Sequence, residues 1–311
     1  MEALRVPSQA GVHTSRAEVD AVKTLIVFSF LFLSSWFTNL GWAVNPQTHP
    51  DQYDHRNRVP FKIYNGYLIV FEGRVGDFDK LKFVLDTGAT QSVLDRKLAA
   101  KMGQSCHFGH VLNFDKSLNA EWVEVRDIQF GPIQASTFPM MIADLRYFQS
   151  FATQVDGVIG LDLLRRSSFS IDYDAHNIYF GALDPLSGVP MNSDAMFLTV
   201  ELLLGDRPVR LVLDTGAPTL VLYEDRVLSR LPQLRIQSET LGTSMGGWVL
   251  SKRGYVPMAR LGTTPWDGTV FLVKAPARNV LSGIDGYLGM AALKAHRIDF
   301  NLETNTLSWK E

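Results

Sequence analysis

Two carboxylates stand in matching company. Asp86 leads Thr87, Gly88 and Ala89, and Asp214 leads Thr215, Gly216 and Ala217; each Asp closes an apolar run, Phe83-Val84-Leu85 or Leu211-Val212-Leu213. One Asp-Thr-Gly alone is a weak signal, because Asp and Gly end strands routinely. Two copies change the chemistry on offer. If the tips meet, carboxylates about 3 Å apart cannot both ionise, so they hold one proton between them. The ionised member can take a proton from water while the protonated member donates to a polarised oxygen. That is general base and general acid in one pair, with no need of metal or cofactor. Gly88 and Gly216 allow a tight turn and close approach of the backbones. Thr87 and Thr215 can hydrogen-bond across the contact and hold the two loops in register.

The elements that must position these loops also repeat. Val84 to Ala89 and Val212 to Ala217 are identical over six residues, a match with odds below about one in a million at a given alignment. Val155-Asp156-Gly157-Val158-Ile159-Gly160 is answered by Ile284-Asp285-Gly286-Tyr287-Leu288-Gly289, at 70 residues after the first Asp and 71 after the second. Ser170-Ile171-Asp172-Tyr173 is answered by Arg297-Ile298-Asp299-Phe300. Matched landmarks at matched spacing indicate an internal duplication. A Pro-, Gly- and Ser-rich join over 182–195 then separates a first unit, 61–181, from a second, 196–311.

Short alternating runs dominate both units: Phe61 to Glu72, Lys80 to Leu85, Trp122 to Phe130, Phe197 to Leu204 and Val209 to Leu213. Helical patches are few: Val93 to Met102, Tyr223 to Leu231, and the stretches after Gly160 and Gly289. The expected fold is mostly β, in two similar lobes. Asp156 and Asp285 read as turn formers before glycine rather than as further acids.

Composition is that of a globular chain, 46% apolar and 20% charged, in 311 residues that suit about two domains. Thirty Lys and Arg against 32 Asp and Glu leave −2, so no basic surplus exists to neutralise phosphates, and nucleic acid is not an expected partner. The single cysteine, Cys106, excludes an internal disulfide framework and a multi-thiolate zinc site.

The leader is read separately. Thr24 to Phe37 is uncharged and almost wholly apolar, with Lys23 before it and small Gly41 and Ala43 placed for cleavage after Ala43. Residues 1–43 are therefore expected to be a signal peptide with an N-terminal extension. Extended through Val44 the apolar stretch reaches about 20 residues, long enough for an uncleaved membrane tether over 24–44. A polar linker, 44–60, follows, and the rest is expected to work outside the cytoplasm, periplasmic or secreted.

From Phe61 onward the sequence resembles the retropepsin-like aspartic proteases and their bacterial relatives, with two units fused in one chain. The resemblance rests on the two Asp-Thr-Gly triplets and on Val158-Ile159-Gly160 and Tyr287-Leu288-Gly289. It implies a bilobal acid-protease fold of closed β lobes with pseudo-two-fold symmetry, in which the apolar-apolar-Gly elements thread beside the catalytic loops. It further implies peptide-bond hydrolysis of a protein or peptide substrate, Asp86 and Asp214 as the dyad, and Thr87 and Thr215 as interlocking threonines. A β-hairpin flap is implied over the cleft. Gly242, Met245, Gly246, Gly247 and Trp248 supply a glycine-rich flap tip about 30 residues after Asp214, whereas Phe108 to Trp122 holds only Gly109. Because one chain contains both halves, the expected active form is a monomer. Pepsin-like members usually carry Ser or Thr after the triplet. Ala89 and Ala217 withhold that hydroxyl from the carboxylates, so the pH profile is expected to centre at roughly pH 4–6.5.

Three rival readings compete with this one. Gly242-Thr243-Ser244-Met245-Gly246 fits G-x-S-x-G, with Asp285 and His296 following, but a nucleophile elbow requires a helix after the serine. Cys106, His107 and His110 are soft metal-ligand types, read as incidental residues of a polar loop. A peptide-binding or regulatory protein without catalysis would show its cheapest signature in a lost Asp, and both are kept.

Overall fold

The computed structural model describes residues 30–31, 57–113, 116–146, 148, 153–183, 188–193, 196–231, 234–244, 247–275 and 281–311. The expected leader lies outside the described residues, apart from the two-residue strand β1 (Phe30–Leu31). Part of each expected linker, 44–56, 184–187 and 194–195, lies outside them too.

The first lobe runs through β2 (Arg58–Tyr64), β3 (Leu68–Val75), β4 (Phe78–Leu85), β5 (Val93–Asp95), α1 (Arg96–Met102), β6 (Cys106–Asn113), β7 (Lys116–Phe130), β8 (Ile133–Ala143), β9 (Gly157–Ile159) and α2 (Leu161–Leu164). Next come β10 (Phe169–Asp172), β11 (Asn177–Phe180) and β12 (Val189–Pro190). The second lobe follows as β13 (Thr199–Leu204), β14 (Arg207–Asp214), β15 (Leu220–Tyr223), α3 (Glu224–Val227), β16 (Arg235–Ser244), β17 (Gly247–Leu261), β18 (Thr264–Val273) and β19 (Gly286–Gly289). The chain ends in β20 (Arg297–Asn301) and β21 (Thr306–Lys310). The molecule is mostly β in two sheets, with few short helices.

Both lobes follow one strand order. In the first, β3-β4-β9-β5-β8-β7-β6 are neighbours, and β7 also pairs β3; in the second, β13-β14-β19-β15-β18 are neighbours, and β17 joins β18 back to β13 and β16. A 15-residue strand, β7 or β17, is long enough to pair on both sides, which closes each lobe on itself. The central strands are covered on both faces, so Phe83, Val84 and Leu85 are buried in succession rather than alternately, as are Leu211, Val212 and Leu213.

Between the lobes runs an antiparallel array, β12-β21-β20-β10-β11-β2. The repeated segments meet there: Ile171 lies opposite Ile298, and the Phe169 and Phe300 rings stack at 4.6 Å. The last strands of the chain thus belong to the sheet of the first lobe.

Three sequence expectations are corrected. Phe61 to Glu72 is not one strand, because Asn65 and Gly66 adopt φ of 52° and 77° and turn the chain into a β2–β3 hairpin. Val93 to Asp95, expected as helix, is a strand. It fits between β9 and β8, and the Asp95 carboxylate then caps α1 by accepting from Lys97 N–H at 2.9 Å. Likewise Tyr223 ends β15 before α3 begins.

Candidate active site

β4 and β14 each deliver an Asp-Thr-Gly loop to the contact between lobes. Each carrier strand is gripped on its far side by a threading strand, β9 beside β4 and β19 beside β14, both parallel. Asp156 and Asp285 do more than form turns. The Asp156 carboxylate accepts from Lys82 N–H at 2.9 Å, and the Asp285 carboxylate accepts from Arg210 N–H at 3.0 Å, so each pins the strand that carries a loop.

The threonines interlock. Thr87 Oγ1 donates to Leu213 O at 2.8 Å and accepts from Thr215 N–H at 3.0 Å. Thr215 Oγ1 donates to Leu85 O at 2.7 Å and accepts from Thr87 N–H at 3.0 Å. Four buried hydrogen bonds therefore cross the lobe interface at the loops, two from each side.

Asp86 and Asp214 are fully buried and hydrogen-bonded to each other. Asp86 Oδ1 also accepts from Gly88 and Ala89 N–H at 2.9 and 3.0 Å, and Asp214 Oδ1 from Gly216 N–H at 2.7 Å. Glycine at 88 is required by space: a Cβ there would lie 2.5 Å from Asp214 Cγ. At Gly216 a Cβ would lie 3.2 Å from Asp86 Cγ, tight but less severe. Burial holds both carboxyls above their ordinary range, and the neighbouring Asp214 charge raises Asp86 further. The backbone donors oppose this without cancelling it. A pair that keeps one proton into mildly acidic or neutral solution can act as acid and base at once.

The flap region is more even than the glycine count implies. β16 and β17 form a hairpin with Thr243 opposite Trp248 and Gly242 opposite Val249, while Met245 and Gly246 lie outside the described residues. The glycine-poor counterpart, β6 and β7, forms a hairpin at the same place in its sheet. The G-x-S-x-G reading fails here, since Ser244 is followed by a strand and not a helix. Asp285 is bonded to Arg230 and His296 to Asp174, so the three residues form no constellation. Among the described residues no group of three His, Cys, Asp or Glu is placed to hold a metal.

Sequence reasoning missed three groups near the loops. Ser92 donates from N–H and Oγ to Asp162 at 2.8 and 2.6 Å, and its Oγ accepts from Gly160 N–H at 3.1 Å. Tyr223 and Tyr287 hydroxyls meet at 3.2 Å behind the second loop. Tyr67 sits buried directly after the hairpin turn at 65–66, where Asn-Gly was the available signal.

Residues 71–163 match a family model described as Aspartyl protease, a stretch holding the Asp86 loop and Val158-Ile159-Gly160. No curated protein matches the chain.

Proposed function

We propose, from the match of residues 71–163 to the aspartyl protease family model, that this chain is an aspartic endopeptidase whose dyad is Asp86 and Asp214. One observation carries the reading: two buried carboxyls from separate lobes share a hydrogen bond while backbone N–H groups hold one oxygen of each. In the proposed reaction the ionised carboxylate takes a proton from water as its oxygen attacks the scissile carbonyl carbon. The protonated partner gives its proton to the carbonyl oxygen. Collapse of the tetrahedral intermediate breaks the C–N bond as the leaving nitrogen is protonated, and the pair returns to a single shared proton.

The interlocked threonines support this by fixing the two loops, because small misplacements of reacting groups are costly. Since both Asp-Thr-Gly loops come from one chain, the active form is proposed to be a monomer. The apolar segment 24–44 supports work outside the cytoplasm. Incubation of the protein with an unstructured polypeptide at mildly acidic pH tests the activity. Internal cleavage that a statine-type inhibitor suppresses is expected; an intact substrate across pH 3–7 would overturn the proposal.

A further inference from the structure

The two lobes repeat one linkage with its charges reversed. Arg96 opens α1 ten residues after Asp86, and Glu224 opens α3 ten residues after Asp214. Arg96 Nη1 donates to Glu121 Oε2 at 2.7 Å, and Lys252 Nζ donates to Glu224 Oε1 at 2.5 Å. The partners occupy one position of the fold. Glu121 on β7 lies opposite Ile142, which pairs with Leu94; Lys252 on β17 lies opposite Leu272, which pairs with Leu222. Leu94 and Leu222 both stand eight residues after their Asp. A helix-opening residue therefore meets the long hairpin strand at the same place in each lobe, cation to anion in the first and anion to cation in the second.

Arg96 does not serve its own helix, because a cation in the first turn of α1 opposes the backbone dipole. Its charge is matched by the hairpin instead. Behind each pair runs the same route to a reacting carboxyl. Asp95 N–H donates to Asp156 O and Tyr223 N–H to Asp285 O, both at 2.8 Å. The side chains of Asp156 and Asp285 in turn hold Lys82 on β4 and Arg210 on β14, the strands that carry Asp86 and Asp214. In front, each hairpin reaches the residues beside its loop. Ala120 and Trp122 pack in one cluster with Val84 and Ala89, and Val249 packs in another with Val212 and Ala217. The acids are the more buried members, Glu121 at 31% and Glu224 at 18% exposed, so water and salt screen these pairs less than pairs on open surface.

We propose that Arg96–Glu121 and Glu224–Lys252 are tethers that set where each hairpin stands relative to its Asp-Thr-Gly loop, which makes all four side chains positioning residues. Since the second lobe already uses the reversed sense at the same position, the first should accept it. The consequence for cleavage, weaker retention of the peptide with little change in the chemical step, rests on the hydrolytic reading; the tethers themselves do not.

The test is amide hydrogen exchange of the whole protein, read by mass spectrometry over the two hairpins, with peptide-cleavage kinetics beside it. Glu121→Arg sets two cations together and should speed exchange in β6 and β7 about fivefold, while β16 and β17 keep the wild-type rate. Adding Arg96→Glu should restore the slow exchange. Lys252→Glu should loosen β16 and β17 alone. In cleavage, KM should rise about fivefold in each single variant with kcat changed less than about twofold, and the double variant should recover. Unchanged exchange in the single variants, or a double variant as loose as Glu121→Arg, would overturn the tethers. Loosened hairpins with an unchanged KM would overturn their positioning role. A wild type that cleaves nothing but shows the exchange pattern would overturn the protease reading and leave the tethers standing.

Discussion

The two lobes agree at their loops and differ one layer behind them. Around Asp86 and Asp214 the hydrogen bonds are paired almost one for one, from the threonine interlock to the carboxylates of Asp156 and Asp285 on the carrier strands. Behind them, the first lobe uses a polar clamp, Ser92 on Asp162, where the matching positions of the second are Leu220 and Ala291. The second lobe instead buries two tyrosines, Tyr223 and Tyr287, where the first has Asp95 and Val158. The lesson is that the likeness extends to the loops and to the strands that carry them, and stops at the groups packed behind. A loop can be supported equally well by hydrogen bonds to a buried acid or by aromatic packing.

The comparison breaks most visibly at the dyad itself. Asp86→Asn and Asp214→Asn should each lower kcat/KM by at least about a thousandfold with an unchanged circular dichroism spectrum, because a shared proton needs both carboxyls. A variant retaining a tenth of the activity would show that the two loops are not equal partners. Next come the glycines, where the lobes should separate. Gly88→Ala forces a methyl group against Asp214 and should cost about a hundredfold in kcat/KM, whereas Gly216→Ala should cost less than about tenfold. Equal losses would mean that both sites yield alike.

The clamp sharpens the contrast through pH. Burial pushes the Asp162 carboxyl up to about 6, against the bonds from Ser92 that favour its charge. The native state therefore holds this proton more tightly than the unfolded chain. Its contribution to stability is full below about pH 4 and is lost as pH rises toward about 6. Asp162→Asn should flatten that part of the stability curve, measured by denaturant unfolding from pH 3.5 to 7. A mutant curve parallel to wild type would remove Asp162 from the account. The smallest effect is expected at Ala89 and Ala217, both buried beside the carboxylates. Ser at both positions should shift the activity profile toward acid by about half a unit, since an added donor favours the charged form. No movement would show that a hydroxyl there does not reach the carboxylate.

Much of this arrangement was legible in the chain. Asp-Thr-Gly with its apolar run is a local signal, complete within seven residues, and its recurrence at matched spacing led directly to two similar β lobes. The threonine interlock was legible for the same reason, since Thr87 and Thr215 adjoin the acids they steady. The expected strand from Phe61 to Glu72 failed because alternation continued across Asn65 and Gly66, although that dipeptide favours a hairpin.

What the sequence alone determined is which residues could do acid–base chemistry and that they occur twice. Only the tertiary structure decided their surroundings. Period-two alternation says which face of a strand is buried and nothing about the strand it will lie beside. Thr87 and Thr215 are 128 positions apart, and Ser92 and Asp162 are 70 apart. Strands β20 and β21, last in the chain, extend the sheet of the first lobe. Such contacts are created when lobes close and pack, so no local pattern encodes them.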